Sequence, residues 1–139
     1  MKSLHTLLKL ARRDLEALRR ALAEAAARQV AVHDRMLGHE QTILDEQKAA
    51  LRDYESARTY GGYAAAAISV RRALAAEHDA IGQEIDRLRA LIAEAYVEMR
   101  KFERLIELDE ARQKAAAAKS ENAELDEFAT LTAGRTNSR

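Results

Sequence analysis

The chain has no cysteine, no proline and no tryptophan, and only 5 of its 139 residues are glycine. The lack of cysteine excludes disulfides and thiolate metal sites, which suits a reducing compartment such as the cytoplasm. The lack of proline means that no residue is forced to kink a helix. What remains is dominated by alanine, leucine, glutamate, arginine and lysine, a composition typical of long helices and coiled coils rather than of globular cores.

Long apolar runs are also missing. The longest, Ala64 to Ile68, is far shorter than the roughly 20 residues that cross a bilayer, so no direct membrane insertion is predicted. The 23 basic and 23 acidic residues cancel, which argues against bulk attraction to nucleic acid or anionic lipid. The N-terminal stretch through Arg13 resembles a basic targeting peptide, but its leucines continue in phase with the residues that follow, which favours a helix.

The spacing of apolar residues is the most informative pattern that is present. Steps of alternately four and three residues give two heptad seams, one in each half of the chain, which predict two coiled-coil helices. The first seam is Leu4, Leu8, Ala11, Leu15, Leu18, Leu22, Ala25, Gln29, Val32, Met36, His39 and Ile43. The second seam is Leu74, His78, Ile81, Ile85, Leu88, Ile92, Ala95, Met99, Phe102 and Ile106.

The only adjacent glycines, Gly61 and Gly62, lie between the two seams. Because each glycine inside a helix costs about 1 kcal/mol relative to alanine, the pair predicts a turn over residues 58–63, with Thr59 as a cap of the second helix. A short turn makes the two helices antiparallel.

The predicted fold is therefore all-α, a long two-helix antiparallel coiled-coil hairpin over residues 1–128. Its helices are expected over about 3–57 and 64–128. Residues 129–139 lose both the apolar period and the charge pattern, which predicts a flexible C-terminal tail.

Charge segregation favours the same arrangement. Residues 1–35 hold eight basic and four acidic side chains, whereas residues 76–110 hold five basic and ten acidic. A turn near residue 61 sets residues 9–35 beside roughly 87–113, so the basic and acidic segments attract each other. Each exposed ion pair contributes only about 0.2–1 kcal/mol, so the seams are expected to supply most of the association.

No set of residues predicts catalysis or cofactor binding. None of the four histidines has a histidine or carboxylate at the i+3 or i+4 position that a helical metal motif requires. His39 and His78 fall on the seams and are predicted to form a polar layer that fixes the register, in preference to a pH switch. The glycine pair lacks the residues of a phosphate-binding loop. The sequence therefore predicts no enzyme, metal or cofactor, and no nucleic-acid partner.

Partner-binding surfaces are the remaining candidates for function. A second leucine file, Leu37, Leu44 and Leu51, runs beside the first seam and widens its apolar stripe. Three of the four tyrosines gather near the predicted turn. They are interpreted either as exposed binding residues or as side chains that fasten the turn to the helices.

The sequence also resembles the FliJ family, the soluble stalk component of the flagellar type III export apparatus. The resemblance rests on the spacing of Met1, Leu4 and Leu7, on Lys101–Leu105 and on Glu121–Ala129. Tyr60–Leu74 is similar to the alphaproteobacterial branch. The glycine pair and the alanine run 115–118 depart from the broader family pattern.

The resemblance implies a cytoplasmic protein, peripherally associated with the export apparatus at the inner membrane, that regulates ATPase assembly and protein export. Its implied partners are the hexameric flagellar export ATPase, the cytoplasmic domain of the membrane export gate and export chaperones. The residues implied for the ATPase, near the paired termini, are Arg12, Arg13, Arg19, Arg20, Lys101, Arg104, Asp126 and Glu127. The residues implied for the gate, near the turn, are Leu44, Leu51, Tyr54, Tyr60 and Tyr63.

Two other interpretations of the protein's function remain. One is a stand-alone structural or chaperone-like hairpin that self-associates into a helical bundle. The other is a secreted helical-hairpin effector, although the Trp-x-Gly turn of such proteins is missing.

Overall fold

The computed structural model describes the backbone of residues 2–137 and the side chains of residues 2–135. Helix α1 spans Lys2–Arg52 and helix α2 spans Tyr54–Asn137. Over residues 2–137 the chain contains no strand, and only Asp53 lies outside the two helices. The predicted all-α fold of two long helices is confirmed.

The heptad pattern explains which face of each helix is buried. Every position of the two predicted seams is buried or half-buried. Among the buried apolar residues of the described side chains, only Ala67 lies outside the seams. The rest are Leu8, Ala11, Leu15, Ala25, Val32, Leu74, Ile81, Ile85, Leu88 and Ile106.

The chain reverses at Asp53. The backbone N–H of Asp53 still donates to the carbonyl of Ala49 at 3.1 Å, so this residue closes the last turn of α1. Its carboxylate then accepts the backbone N–H of Glu55 at 3.2 Å and the hydroxyl of Ser56 at 3.3 Å. An aspartate side chain that accepts a free backbone N–H of the first turn is a strong helix N-cap. The negative charge of Glu55 in that turn also interacts favourably with the N-terminal end of the helix dipole.

The predicted position of the turn was wrong. Residues 58–63 are helical and belong to α2, and Thr59 is not a cap, since its hydroxyl donates to the carbonyl of Glu55 inside the helix. The flexible tail predicted over residues 129–139 also differs from the structure, because α2 continues through residues 129–137. Residues 138–139 lie outside the described residues.

The helices form two compact units. The turn unit comprises residues 14–95, and the terminal unit comprises residues 1–13 and 96–139. In the turn unit Ala25 and Val32 of α1 pack with apolar residues of α2 in one buried cluster. The α2 members are Ile81, Ile85 and Leu88.

Ion pairs between the helices of the turn unit show their direction. Arg28 donates to Glu84 at 2.7 Å. Arg35 donates to Glu77 at 3.2 Å. As residue numbers fall along α1 they rise along α2, so the helices are antiparallel in this unit, as predicted.

In a third ion pair between the helices, the arginine belongs to α2 and the glutamate to α1. Arg71 of α2 holds Glu40 of α1 through two hydrogen bonds of 2.7 and 2.8 Å. The hydrogen bond from Arg71 lowers the pKa of Glu40, and that from Arg28 lowers the pKa of Glu84.

The earlier turn shifts the pairing register. Arg35 was expected beside residues near 87, but it contacts Glu77. The predicted layer of His39 and His78 does not form. The Nε2 atom of His39 lies 3.0 Å from the carbonyl oxygen of Ala67, which is 11 residues, or about 16 Å of helix, from His78.

The terminal unit buries fewer residues. Leu8 and Ala11 of α1 and Ile106 of α2 are its buried apolar side chains. Arg12 of α1 lies 3.6 Å from Glu103 of α2. Beyond Asp109, every residue of α2 from 110 to 135 is exposed.

Candidate partner-binding surfaces

An apolar surface of the turn unit lies on the outer face of α1. Val30, Leu37, Leu44 and Leu51 follow one another at intervals of seven residues, so they share one face of the helix. All four are exposed, between 49% and 88%. We call them the leucine face. Two of the five residues predicted to bind the export gate, Leu44 and Leu51, belong to it.

A shallow apolar groove of about 190 Å³ borders this face. Met36, Leu37 and Leu74 line it, together with the polar side chains of the neighbouring ion pair. Leu37 thus belongs to both surfaces. The groove widens the apolar area that a partner helix can cover, which agrees with the broad stripe expected from the leucine file.

The three predicted tyrosines differ in their surroundings. Tyr54, the first residue of α2, is 78% exposed. Tyr60 and Tyr63 are half-buried, and their ring centroids lie 6.1 Å apart. Both rings line a pocket together with Ile43 of α1 and Ala67 of α2.

The hydroxyl of Tyr63 is buried without a hydrogen-bond partner among the described residues. Burial raises the pKa of this group, because the charged form is the more costly to desolvate. The structure thus separates the five predicted gate residues into three exposed side chains, Leu44, Leu51 and Tyr54, and two half-buried tyrosines, Tyr60 and Tyr63.

The residues predicted to bind the ATPase fall in both units. Arg19 and Arg20 lie on the exposed surface of α1 in the turn unit. In the terminal unit Arg12 and Arg13 are also exposed. The structure therefore divides the eight residues between the two units.

The α2 members of that set pair mainly along their own helix. Lys101 lies 3.7 Å from Glu98, and its ammonium sits 5.7 Å from the ring centre of Phe102. Arg104 lies 3.2 Å from Glu107.

These ion pairs leave most of their charged area in water, since Lys101 is 60% and Arg104 69% exposed. The charges remain available to a partner. Asp126 and Glu127 lie within the exposed segment 110–135.

Sequence reasoning missed Asp53 and Val30. The signal for Asp53 was an aspartate followed by an acidic residue at Glu55, a common start of a helix. Val30 stands seven residues before Leu37, so extending the leucine file by one step would have included it.

The described part of the chain holds no cluster of three histidine, aspartate or glutamate side chains able to hold a metal ion. Neither helix, over its described length, has a stretch apolar enough to cross a membrane.

The comparison with protein families decides the classification. The family described as flagellar FliJ protein matches residues 1–138, nearly the whole chain. The chain belongs to the FliJ family. FliJ proteins are structural components of the flagellar export apparatus and are not an enzyme family. No curated protein and no solved structure gives a significant match to this FliJ chain.

Proposed function

We propose that this FliJ chain is the stalk of the flagellar export apparatus, which binds the hexameric export ATPase through one surface and the cytoplasmic domain of the export gate through another. The observation that carries the proposal is the chemical difference between two exposed surfaces. The turn unit presents the apolar leucine face, and the terminal unit presents charged side chains. Membership of the FliJ family is the reason for assigning the chain to the flagellar export apparatus. The proposed place of action is the cytoplasmic side of the inner membrane.

The leucine face, together with Tyr54, is the proposed gate-binding surface. Burying one leucine side chain stabilises a complex by roughly 1.5–3 kcal/mol, so a surface with three leucines offers enough energy for specific association. Tyr60 and Tyr63 support this surface by holding α2 against α1. Their part in gate binding is therefore positional.

The charged surface is the proposed ATPase-binding surface. Arg12, Arg13, Lys101 and Arg104 present basic groups, and Asp126 and Glu127 present acidic groups. A mixed set of this kind suits the regulation of an ATPase, because exposed charges set association rates and partner choice. Arg19 and Arg20 of the turn unit extend the basic set along α1. Export chaperones are a third partner class, which competes for the exposed surfaces.

A pair of crossed variants tests both assignments. Leu44→Ser with Leu51→Ser should weaken binding to the purified gate domain about tenfold or more, because 1.4 kcal/mol corresponds to tenfold in Kd. The same variant should still stimulate ATP hydrolysis by the export ATPase. Arg13→Glu with Arg104→Glu should show the reverse pattern.

Matched controls separate loss of a surface from loss of fold. Val97→Ser removes an exposed apolar side chain of the terminal unit, and Arg58→Glu reverses an exposed arginine of the turn unit. Both should leave gate binding and ATPase stimulation unchanged. If the leucine variant loses ATPase stimulation while it keeps gate binding, the two assignments are wrong.

The leucine face also favours a second function, a structural hairpin that self-associates into a helical bundle. Four apolar residues at a heptad interval are what a partner helix of the same kind packs against. Light scattering on the wild type and on Leu44→Ser with Leu51→Ser distinguishes the two. A stable oligomer that this variant dissolves, with no response from the export ATPase, supports the bundle.

A further inference from the structure

In the segment 110–135 of α2 every residue is exposed, so no apolar face of this helix is buried in the described chain. The second seam explains why. It ends at the buried Ile106, and the next seam positions, Asp109 and Gln113, are polar and bond to each other through their side chains at 3.1 Å. Isolated helices are marginal in water, and most helical stability in proteins comes from packing an apolar face.

Large apolar side chains nevertheless stand on this segment. Leu125, Phe128 and Leu131 are 65%, 69% and 62% exposed. Ala118 precedes Leu125 by seven residues and therefore lies on the same face. The segment is about 39 Å long at 1.5 Å per residue, which is enough for more than three heptads of contact.

The two halves of the segment are complementary in size and charge. The first half holds the alanine run 115–118 with basic residues, and the second half holds Leu125 and Phe128 with acidic residues. Residues 110–119 hold three basic side chains and one acidic, a net charge of +2, and residues 120–135 hold four acidic and one basic, a net charge of −3. The first set is Arg112, Lys114, Lys119 and Glu110, and the second is Glu121, Glu124, Asp126, Glu127 and Arg135.

We propose that two copies of the chain pair antiparallel through residues 110–135. In this arrangement the large side chains of one copy lie against the alanine run of the other, where small residues allow a close approach. The basic part of each copy lies beside the acidic part of the other copy, so this favourable contact occurs twice in the pair. A parallel arrangement places like charges opposite each other, which is destabilising.

A second copy of the chain is the favoured partner of this segment, because the segment carries both of the parts that complement each other. A two-fold interface requires a patch that matches itself, and an antiparallel pair of these residues meets that condition. The inference does not depend on the proposed export function. Under that function, a self-paired copy covers Asp126 and Glu127 and so competes with the ATPase for them.

The first experiment is sedimentation equilibrium of the full chain over a range of concentrations. The wild type should show a reversible monomer–dimer equilibrium, and Phe128→Ala should raise the dissociation constant roughly tenfold, as expected for a central aromatic contact. Leu44→Ser with Leu51→Ser, on the leucine face, should leave the constant unchanged. A wild type that stays monomeric at all concentrations, or a dimer that only the leucine-face variant dissolves, overturns the proposal.

Charge reversal gives a test that does not depend on apolar contacts. An all-acidic segment, with Glu at positions 112, 114, 119 and 135, and an all-basic segment, with Lys at 110, 121, 124, 126 and 127, should each be monomeric. An equimolar mixture of the two should form a heterodimer. Circular dichroism should show unchanged helix content, since all of these side chains are exposed. No heterodimer in the mixture contradicts the pairing.

Engineered cysteines determine the direction, and the natural chain has no cysteine to interfere. Asn122→Cys, near the centre of the proposed pair, should form a disulfide-linked dimer on mild oxidation. Ala111→Cys should not, because its two copies lie about 30 Å apart in an antiparallel pair, far beyond the roughly 7 Å limit for a disulfide. A mixture of Ala111→Cys with Ala133→Cys should cross-link between the two variants, because residues 111 and 133 lie opposite each other in a pair centred near Asn122. Efficient cross-linking of Ala111→Cys alone indicates a parallel pair and overturns the proposal.

Discussion

The turn unit and the terminal unit are built from the same two helices but use them differently. In the turn unit both seams are in contact, and they form a buried cluster flanked by three ion pairs between the helices. The terminal unit buries Leu8, Ala11 and Ile106, and much of its α2 lies exposed. The difference shows that α2 is buried where its apolar seam faces that of α1. Where the seam ends, after Ile106, the surface of α2 is exposed.

The largest expected effect concerns the buried cluster. Ile85→Ala should lower the free energy of unfolding by about 2–4 kcal/mol, because it removes a side chain packed within the cluster. Ile106→Ala, the same change in the terminal unit, should cost less, since fewer buried side chains surround it. Urea unfolding followed by circular dichroism measures both.

The exposed Val97→Ala is the control for this pair and should change the free energy of unfolding by less than about 0.5 kcal/mol. Equal losses for Ile85→Ala and Ile106→Ala would show that the two units are equally well packed, against the difference described above.

The cap at the start of α2 should give the next largest effect. Asp53→Ala removes the acceptor for Glu55 and Ser56 and should cost about 1 kcal/mol in thermal or urea unfolding. Asp53→Asn keeps a side-chain oxygen at the cap and should cost much less. If the alanine and asparagine variants unfold alike, the cap is not what begins α2.

The heptad period of the apolar residues was enough to predict most of the fold. The seams from Leu4 to Ile43 and from Leu74 to Ile106 were all found buried or half-buried, because alternation of three and four residues leaves only one face for the partner helix. The antiparallel direction followed from a short connection and from opposed charges. Both features depend on many residues acting together, so no single misread position changes them.

The position of the turn could not be predicted from the glycine pair. Two glycines oppose a helix by about 1 kcal/mol each, but packing of Tyr60, Tyr63 and Ala67 near Ile43 outweighs this cost when α2 begins at Tyr54. The prediction of a flexible tail from residue 129 was wrong for a related reason. Loss of the apolar period ends packing between helices, but it does not end a helix. The partner-binding residues remain predictions, because exposure shows availability rather than binding.

The glycine pair gives a sharper test of the turn than any other site. Gly61→Ala and Gly62→Ala should each raise the free energy of unfolding by about 0.5–1 kcal/mol. Neither glycine has positive φ, and an added Cβ at either meets no atom within 4 Å. Gly134→Ala, near the end of α2 in the terminal unit, should gain less, since helix ends fray. Destabilisation by Gly61→Ala or Gly62→Ala would return the turn to residues 58–63.

The smallest expected effect is the acid response of the ion pairs in the turn unit. Hydrogen bonds from Arg71 and Arg28 hold the pKa of Glu40 and of Glu84 below the ordinary value of 4.5. The folded state therefore binds fewer protons than the unfolded state around that pH. The stabilisation is present above about pH 4.5 and is lost as the pH falls through the lowered pKa values.

Melting temperatures at pH 7 and pH 3 measure this response. Glu40→Gln with Glu84→Gln should lower the melting temperature slightly at pH 7 and should reduce the difference between the two pH values, because the variant has no proton to take up at these positions. Glu127→Gln makes the same chemical change in the exposed segment of the terminal unit and serves as the control. Both pairs are solvent-exposed and screened, so 1 M salt should reduce the effect as well. A double variant that keeps the full wild-type difference would mean that the acid response of the turn unit comes from residues other than these two glutamates.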